Sequence, residues 1–144
     1  FAARESNTTH IVWICVDNPF VSGSEIDRLV QFYLESDCNY AYNHIPKNNC
    51  YPDGIGAEIV SLKTLRDIHE EAKNPDHREH VFNFIWAHLD RFEIFTFAPA
   101  DERLACPDLK LDIDTQQDYE KLCQMKVNIE MEGHQIVAAA LAMD

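Results

Sequence analysis

Apolar positions along this chain recur with two periods, and the period switches from one segment to the next. The stretch "IVWICVD", residues 11–17, is a short continuous apolar run closed by Asn18-Pro19. A run rich in Val and Ile that ends in a turn signal predicts a strand covered on both faces. Pro19 has no backbone donor, so pairing cannot continue through it. Asp17 is therefore expected at the carboxyl end of a strand, the edge where open α/β sheets hold ligands. The period then becomes helical: in "SGSEIDRLVQFYLES", Ile26, Leu29, Val30 and Tyr33 share a face, and Ser22 and Glu25 have capping-box spacing. "CNYAYNHI" alternates as a strand does, "PKNNCYPDG" reads as loop, and "AEIVS" as a short strand.

Helical spacing returns in "SLKTLRDIHEEAK", apolar at Leu62, Leu65, Ile68 and Ala72, and in "NPDHREHVFNFIWAHLD" through Val81, Phe84, Ile85 and His88. "FEIFTFAP" and "LKLDID" predict strands. Thr115 caps the helix "QQDYEKLCQMK", whose Tyr119, Leu122 and Cys123 share a face, and Gly133 precedes a final Ala-rich helix. Strands alternating with helices imply an α/β architecture. The opening "FAARESNTTH" reads as the tail of an amphipathic helix leading directly into a strand, an abrupt start that suggests the C-terminal part of something larger.

Composition narrows the functional classes. A chain of 144 residues with 46% hydrophobic and 26% charged positions is one globular domain. Its net charge of −13 argues against a nucleic-acid polymer or an anionic membrane as partner. A single nucleotide is compatible, because carboxylates can hold a divalent cation that neutralises its phosphates. No stretch has the length of a membrane span, and no signal-peptide pattern stands at the start. Five cysteines without CxxC spacing suggest a reduced cytoplasmic chain, with Cys15 and Cys123 as small core residues.

The carboxylates carry the candidate chemistry. In "KLDIDTQQDYEKL" Leu109, Leu111 and Ile113 alternate with Lys110, Asp112 and Asp114, so both aspartates point to the same side. Two such groups can share Mg²⁺, which takes a few carboxylates together with substrate phosphates and water. The bland alternative is an exposed polar edge with Asp114 as a cap substitute. "YPDGIGAE" places Asp53-Gly54 in a turn before Glu58, with Pro52 presetting one backbone angle and Gly54 permitting a positive one. "HREH" sets His77 and His80 one helical turn apart but lacks the HExxH spacing of a metal site. Arg78 and His80 could meet an anionic substrate, or be solvated surface groups.

Taken in order, "VDNPFVSGSEIDRLVQFYLES", "YPDGIGAEIVSLKTL", "NPDHREHVFNFIW" and "PDLKLDIDTQQDYEKL" resemble the second half of the cytidylyltransferases that activate sugars, most of all the spore-coat polysaccharide branch; sialic-acid and Kdo cytidylyltransferases resemble it less. The resemblance covers roughly residues 1–127. It implies a three-layer α/β/α nucleotidyltransferase fold, with CTP and a sugar as substrates, a CMP-sugar and pyrophosphate as products, and Mg²⁺ as cofactor. It implies that Asp17 faces the triphosphate and metal and that Asp114, matching the aspartate of "VDTPED", is a second metal contact. Asp112 falls where sialic-acid cytidylyltransferases spell "DID". Tyr51, Asp53, Gly54 and Glu58 match the family's "YPDG" and the segment after it, on the sugar side; Arg78, Glu79 and His80 match "REH". Gly56-Ala57 and Gln116-Gln117 depart from the family's "LDV" and "PE". The Gly/Arg/Lys-rich loop "ARxGSxRLPGK", which wraps the phosphates in such enzymes, has no counterpart in these residues, so this chain by itself is expected to bind CTP poorly.

Two readings follow. One is the C-terminal portion of a single cytidylyltransferase-like domain that makes a CMP-sugar for surface polysaccharide or glycan synthesis, with Asp17 and Asp114 catalytic and Asp17, Asp112 and Asp114 holding Mg²⁺. The other is a degenerate, non-catalytic domain that dimerises or binds sugar. The family commonly forms homodimers, and Phe82, Trp86 and Phe95 are candidate apolar contacts, though core packing explains such aromatics better.

Overall fold

The computed structural model describes residues 2–143, the side chains of residues 2, 4 and 79 excepted. In chain order the elements are α1 (Ala2–Glu5), β1 (His10–Trp13), α2 (Gly23–Glu35), β2 (Tyr40–Tyr42), β3 (Glu58–Ser61), α3 (Leu62–Glu71), α4 (Pro75–Glu79), α5 (Asn83–Trp86), β4 (Ile94–Phe95), a 3-10 turn at Glu102–Leu104, α6 (Gln116–Leu122) and α7 (Gly133–Leu141). The four strands form one sheet in the order β1-β3-β2-β4. β3 runs antiparallel to both its neighbours, with Trp13 and Tyr42 each opposite Glu58, whereas β2 and β4 are parallel. The C-terminal ends of β1, β2 and β4 and the N-terminal end of β3 therefore meet at one edge of the sheet.

Period-two alternation sorts the strand residues into layers. Ala41 and Ile59 face Leu29 and Tyr33 of α2, while Tyr40, Tyr42 and Val60 face Ile68 and Ala72 near α3 and Phe82, Phe84 and Ile85 around α5. Helices thus cover both faces, giving the α/β/α layering. A third cluster lies beyond the strand ends, where Tyr51, Ile55, Leu109 and Leu111 pack against Leu122, Ile136 and Val137. It seats α6 and α7 and anchors the loops that reach the strand edge.

Several sequence expectations change at this level. β1 is not covered on both faces: it is an edge strand that stops at Trp13, and Trp13 and Val16 are 44% and 102% exposed. Having one neighbour rather than two, β1 ends four residues short of Asp17. The single helix expected from Asn74 onward is two short ones, because His80 leaves helical geometry (φ −110°, ψ 83°) and redirects the chain so that Phe82 and Phe84 both enter the core. "LKLDID" is an extended segment with one isolated bridge, Lys110 to Asp53, not a full strand. Tyr119 and Cys123 are exposed, leaving Leu122 to bury α6, and Cys15 is only partly buried. Ser22 caps α2 by position only: its hydroxyl pairs with that of Ser24 at 3.0 Å, and Glu25 is engaged by Tyr51.

Candidate active site: an acidic strand edge

Two separate stretches meet at the edge defined by the strand ends. Asp53 N–H donates to the Leu109 carbonyl and Leu111 N–H donates to the Asp53 carbonyl, both at 2.9 Å. Gly54 makes this contact possible. Its φ is +88°, a region costly to residues with a side chain, and a Cβ there would stand 2.8 Å from Asp112 N and from the Leu111 carbonyl carbon. On the other side, Ile113 N–H donates to the Asp17 carbonyl at 2.9 Å. The stretch 109–113 is thus pinned between the Asp53 turn and the Asp17 turn, and Asp17, Asp53, Asp112 and Asp114 come into one region.

Their mutual electrostatics bear this out. Burial, followed by the nearby Asp112 and Asp114, pushes the Asp53 carboxyl up to about 6. Asp112 is raised as well, by burial first, with Asp114 and Asp17 adding repulsion and Lys110 opposing it. Cys15, on the segment between β1 and Asp17, has its thiol raised by burial and then by Glu58, Asp17 and Asp53, so it too borders the acidic edge and stays protonated.

Lys110 and Asp118 are the members that motif spacing did not single out. The Lys110 ammonium lies 2.8 Å from Asp114, 2.9 Å from Asp118 and 3.9 Å from Asp112. Asp118 also accepts from the backbone N–H of Asp114 and Thr115 while Thr115 caps α6, a reciprocal capping box. These donors, the lysine foremost, hold its carboxyl down at about 2. The signal was present in the sequence: Lys110 has the same parity as Asp112 and Asp114, and Asp118 is the third residue of a capped helix.

The donor chemistry suits a hard divalent cation in part. Asp112 is 13% exposed in its side chain, and its Oδ1 is buried with no hydrogen-bond partner, a carboxylate oxygen left for something else to engage. Among the described residues, no group of three or more His, Cys, Asp or Glu side chains is arranged to hold a metal. Mg²⁺ needs only one or two carboxylates when substrate phosphates and water complete its shell, so the aspartate pair fits that demand.

The residues matched to the sugar side divide into two groups. Glu58 is buried where β3 begins. Its Oε2 accepts from the Tyr40 hydroxyl, its Oε1 lies 3.7 Å from His44 Nε2, and burial pushes it up to about 7. His44 is pulled down to about 4 by its own burial, and its Nδ1 has no partner. Tyr51 is fully buried. Its hydroxyl donates to Glu25 and accepts from Arg28 at 2.8 Å, so it braces α2 against the loop. Asn43 ties the same loop together, donating to the Glu25 carbonyl and accepting from Ala57 N–H. Arg78 and His80 are exposed on and just after α4, and among the described residues neither side chain bonds to the acidic edge. The Glu79 side chain lies outside the described residues. Beside the end of β4 opens a cleft of about 380 Å³ lined by Tyr42, Asn48, Trp86, Phe95 and Thr96.

This arrangement, an α/β/α sheet with acids at its strand ends, has the fold of a cytidylyltransferase. The chain superposes on a cytidylyltransferase from Leptospira borgpetersenii with a TM-score of 0.80 over 98% of its own length and 59% of that chain, at 23% identity. It is homologous to the spore coat polysaccharide biosynthesis protein SpsF of Bacillus subtilis, with 32% identity over 113 residues, 78% of this chain and 45% of SpsF. An uncharacterised protein of Methanocaldococcus jannaschii is 30% identical over 124 residues, 86% of this chain and 46% of that protein. The chain thus spans less than half the length of each of these two sequence relatives. No protein-family model matches the chain. Among the described residues no helix is long and apolar enough to cross a membrane. The resemblance carried by the four motifs is thus supported by both sequence and fold.

Proposed function

We propose that this chain carries the acidic strand edge of a nucleotidyltransferase that joins CMP from CTP to a sugar hydroxyl and releases pyrophosphate, in the synthesis of a surface polysaccharide or glycan. The observation that carries the reading is the convergence of Asp17, Asp53, Asp112 and Asp114 at one edge of the sheet. In the reaction the sugar oxygen attacks the α-phosphorus in line while the bond to the pyrophosphate oxygen breaks. Bound Mg²⁺ supplies neutralisation of the charge that develops on the phosphates. Asp112 and Asp114, with Asp17 beside them, are the groups that would hold the cation. Asp53, Gly54 and Glu58 border the acceptor side of the same edge, and Tyr51 keeps their loop in place. Arg78 and His80 would act on an anionic substrate only from the α4 side. The proposal includes a cytoplasmic setting, a homodimer and a place as the C-terminal portion of one cytidylyltransferase-like domain.

Thermal melting of a longer protein that carries this chain, in millimolar CTP, UTP or ATP, each with Mg²⁺, tests the reading, because a ligand that binds only the native state raises the melting point by mass action. CTP with Mg²⁺ should raise it, chelation with EDTA should cancel the rise, and Asp114→Asn should remove it while leaving the ligand-free melt intact. Pyrophosphate release from CTP, assayed with a panel of sugars, should likewise fall on Asp114→Asn. Equal response to every nucleotide, or full activity in the variant, overturns the assignment and favours the non-catalytic alternative. The exposed apolar residues of β1 and the segment after it are the observation on that alternative's side.

A further inference from the structure

The acidic edge already contains a cation. Lys110 places its ammonium within 2.8 Å of Asp114, 2.9 Å of Asp118 and 3.9 Å of Asp112, on the face of the segment where both aspartates point. Asp118 has other donors to keep it: the backbone N–H groups of Asp114 and Thr115 and the Thr115 hydroxyl. Among the described residues Asp114 pairs with this lysine alone, and Asp112 retains a buried oxygen that none of them satisfies. The ammonium is half-exposed on a flexible stem, so it can withdraw from Asp114 without unfolding anything, and Asp118 can retain it.

We propose that Lys110 is a built-in, displaceable counter-cation: it shields Asp112 and Asp114 from each other when no divalent ion is present, and it competes with that ion for Asp114. This inference rests on the metal reading above and adds what regulates that site. Two cations cannot share the aspartate pair at contact distance without repulsion, and a unit charge some 4–5 Å from a divalent ion weakens its binding by about tenfold even with strong solvent screening. Lys110 is a positioning residue in this scheme. It sets the concentration of cation at which the edge becomes loaded, and a nucleotide that brings its own bound cation delivers it against this threshold.

The test uses the chain as it stands with Mn²⁺ alone, counted as free ion by electron paramagnetic resonance, so that no turnover is needed. Lys110→Met should tighten Mn²⁺ binding by about tenfold, the charge being lost and the stem kept. Lys110→Arg, which keeps the charge, should bind as the parent does. Circular dichroism melts of both variants check that the fold survives, and Lys110→Gln serves as a second neutral variant if Met does not fold. Equal or weaker binding in the neutral variants overturns the inference while leaving the metal reading standing. Absence of Mn²⁺ binding in the parent and in every variant overturns both.

Discussion

Single residues at this edge hold protons differently from their free counterparts, and Glu58 is the clearest case. Its carboxyl rises from 4.5 to about 7 on burial between Tyr40 and His44. Between those two values the native state keeps a proton that the unfolded chain has released. The stability this contributes is complete below about 4.5 and is lost as pH rises through 7. His44 works in the opposite direction: held neutral down to about 4 against an ordinary 6.5, it makes the fold more stable as pH climbs through that interval. Glu58→Gln should therefore gain on the parent as pH is raised from 5 to 8, by an amount on the order of 1–3 kcal/mol. Urea titrations of both proteins across that range measure it; a difference that stays constant with pH would show that Glu58 does not hold its proton. The position of Glu58 was legible as a polar residue at a strand start after a turn. Its partners were not, because His44 and Tyr40 are separated from it by a loop whose path no local pattern encodes.

Elements show where local rules were sufficient and where neighbours overrode them. Thr115 and Asp118 form the capping box that their spacing allows, and Ser61 caps α3 by accepting from Thr64 N–H. Ser22 and Glu25 have equally good spacing, yet Glu25 is drawn inward to the Tyr51 hydroxyl and Arg28. The Ser22 N–H is already satisfied by the Ile55 carbonyl at 2.9 Å, which leaves the carboxylate to the buried hydroxyl and the guanidinium. The Asp53-Gly54 turn shows an element whose chemistry was readable while its purpose was not. Gly54 does adopt positive φ, as the motif suggests, but the tighter demand is the backbone of residues 111–112 lying 2.8 Å from where a Cβ would be. Gly54→Ala should cost about 2–4 kcal/mol, combining the strain of that φ with displacement of the neighbouring segment. Chemical denaturation measures the loss, and a cost under about 0.5 kcal/mol would mean that the turn and the aspartate segment are not in contact.

Over the whole molecule the decisive feature is that three strands end, and one begins, at a single edge, so that residues 17, 53, 58 and 112–114 become neighbours. The same topology leaves β1 with one partner and the segment after it uncovered, with Ile14 and Val16 facing solvent. Val16→Lys should consequently shift the unfolding free energy by no more than about 0.5 kcal/mol, since no packing is lost. Sedimentation should show weaker self-association in this variant wherever the parent self-associates, because the apolar surface offered to a second molecule shrinks. A loss of several kcal/mol would place Val16 in a packed interior instead.

The sequence by itself determined the α/β alternation, the helical faces, the turn at Asp53-Gly54 and the same-side placement of Asp112 and Asp114, since each follows from a period or a backbone preference acting over a few residues. It also carried the four motifs that link the chain to the cytidylyltransferases. Only the tertiary structure decided that β1 is an edge strand, that Glu25 serves Tyr51 and Arg28 rather than its helix end, and that Lys110 closes on the aspartates. Those outcomes depend on which strands become neighbours and which charges share a desolvated space, and both are set by contacts between residues far apart in the chain.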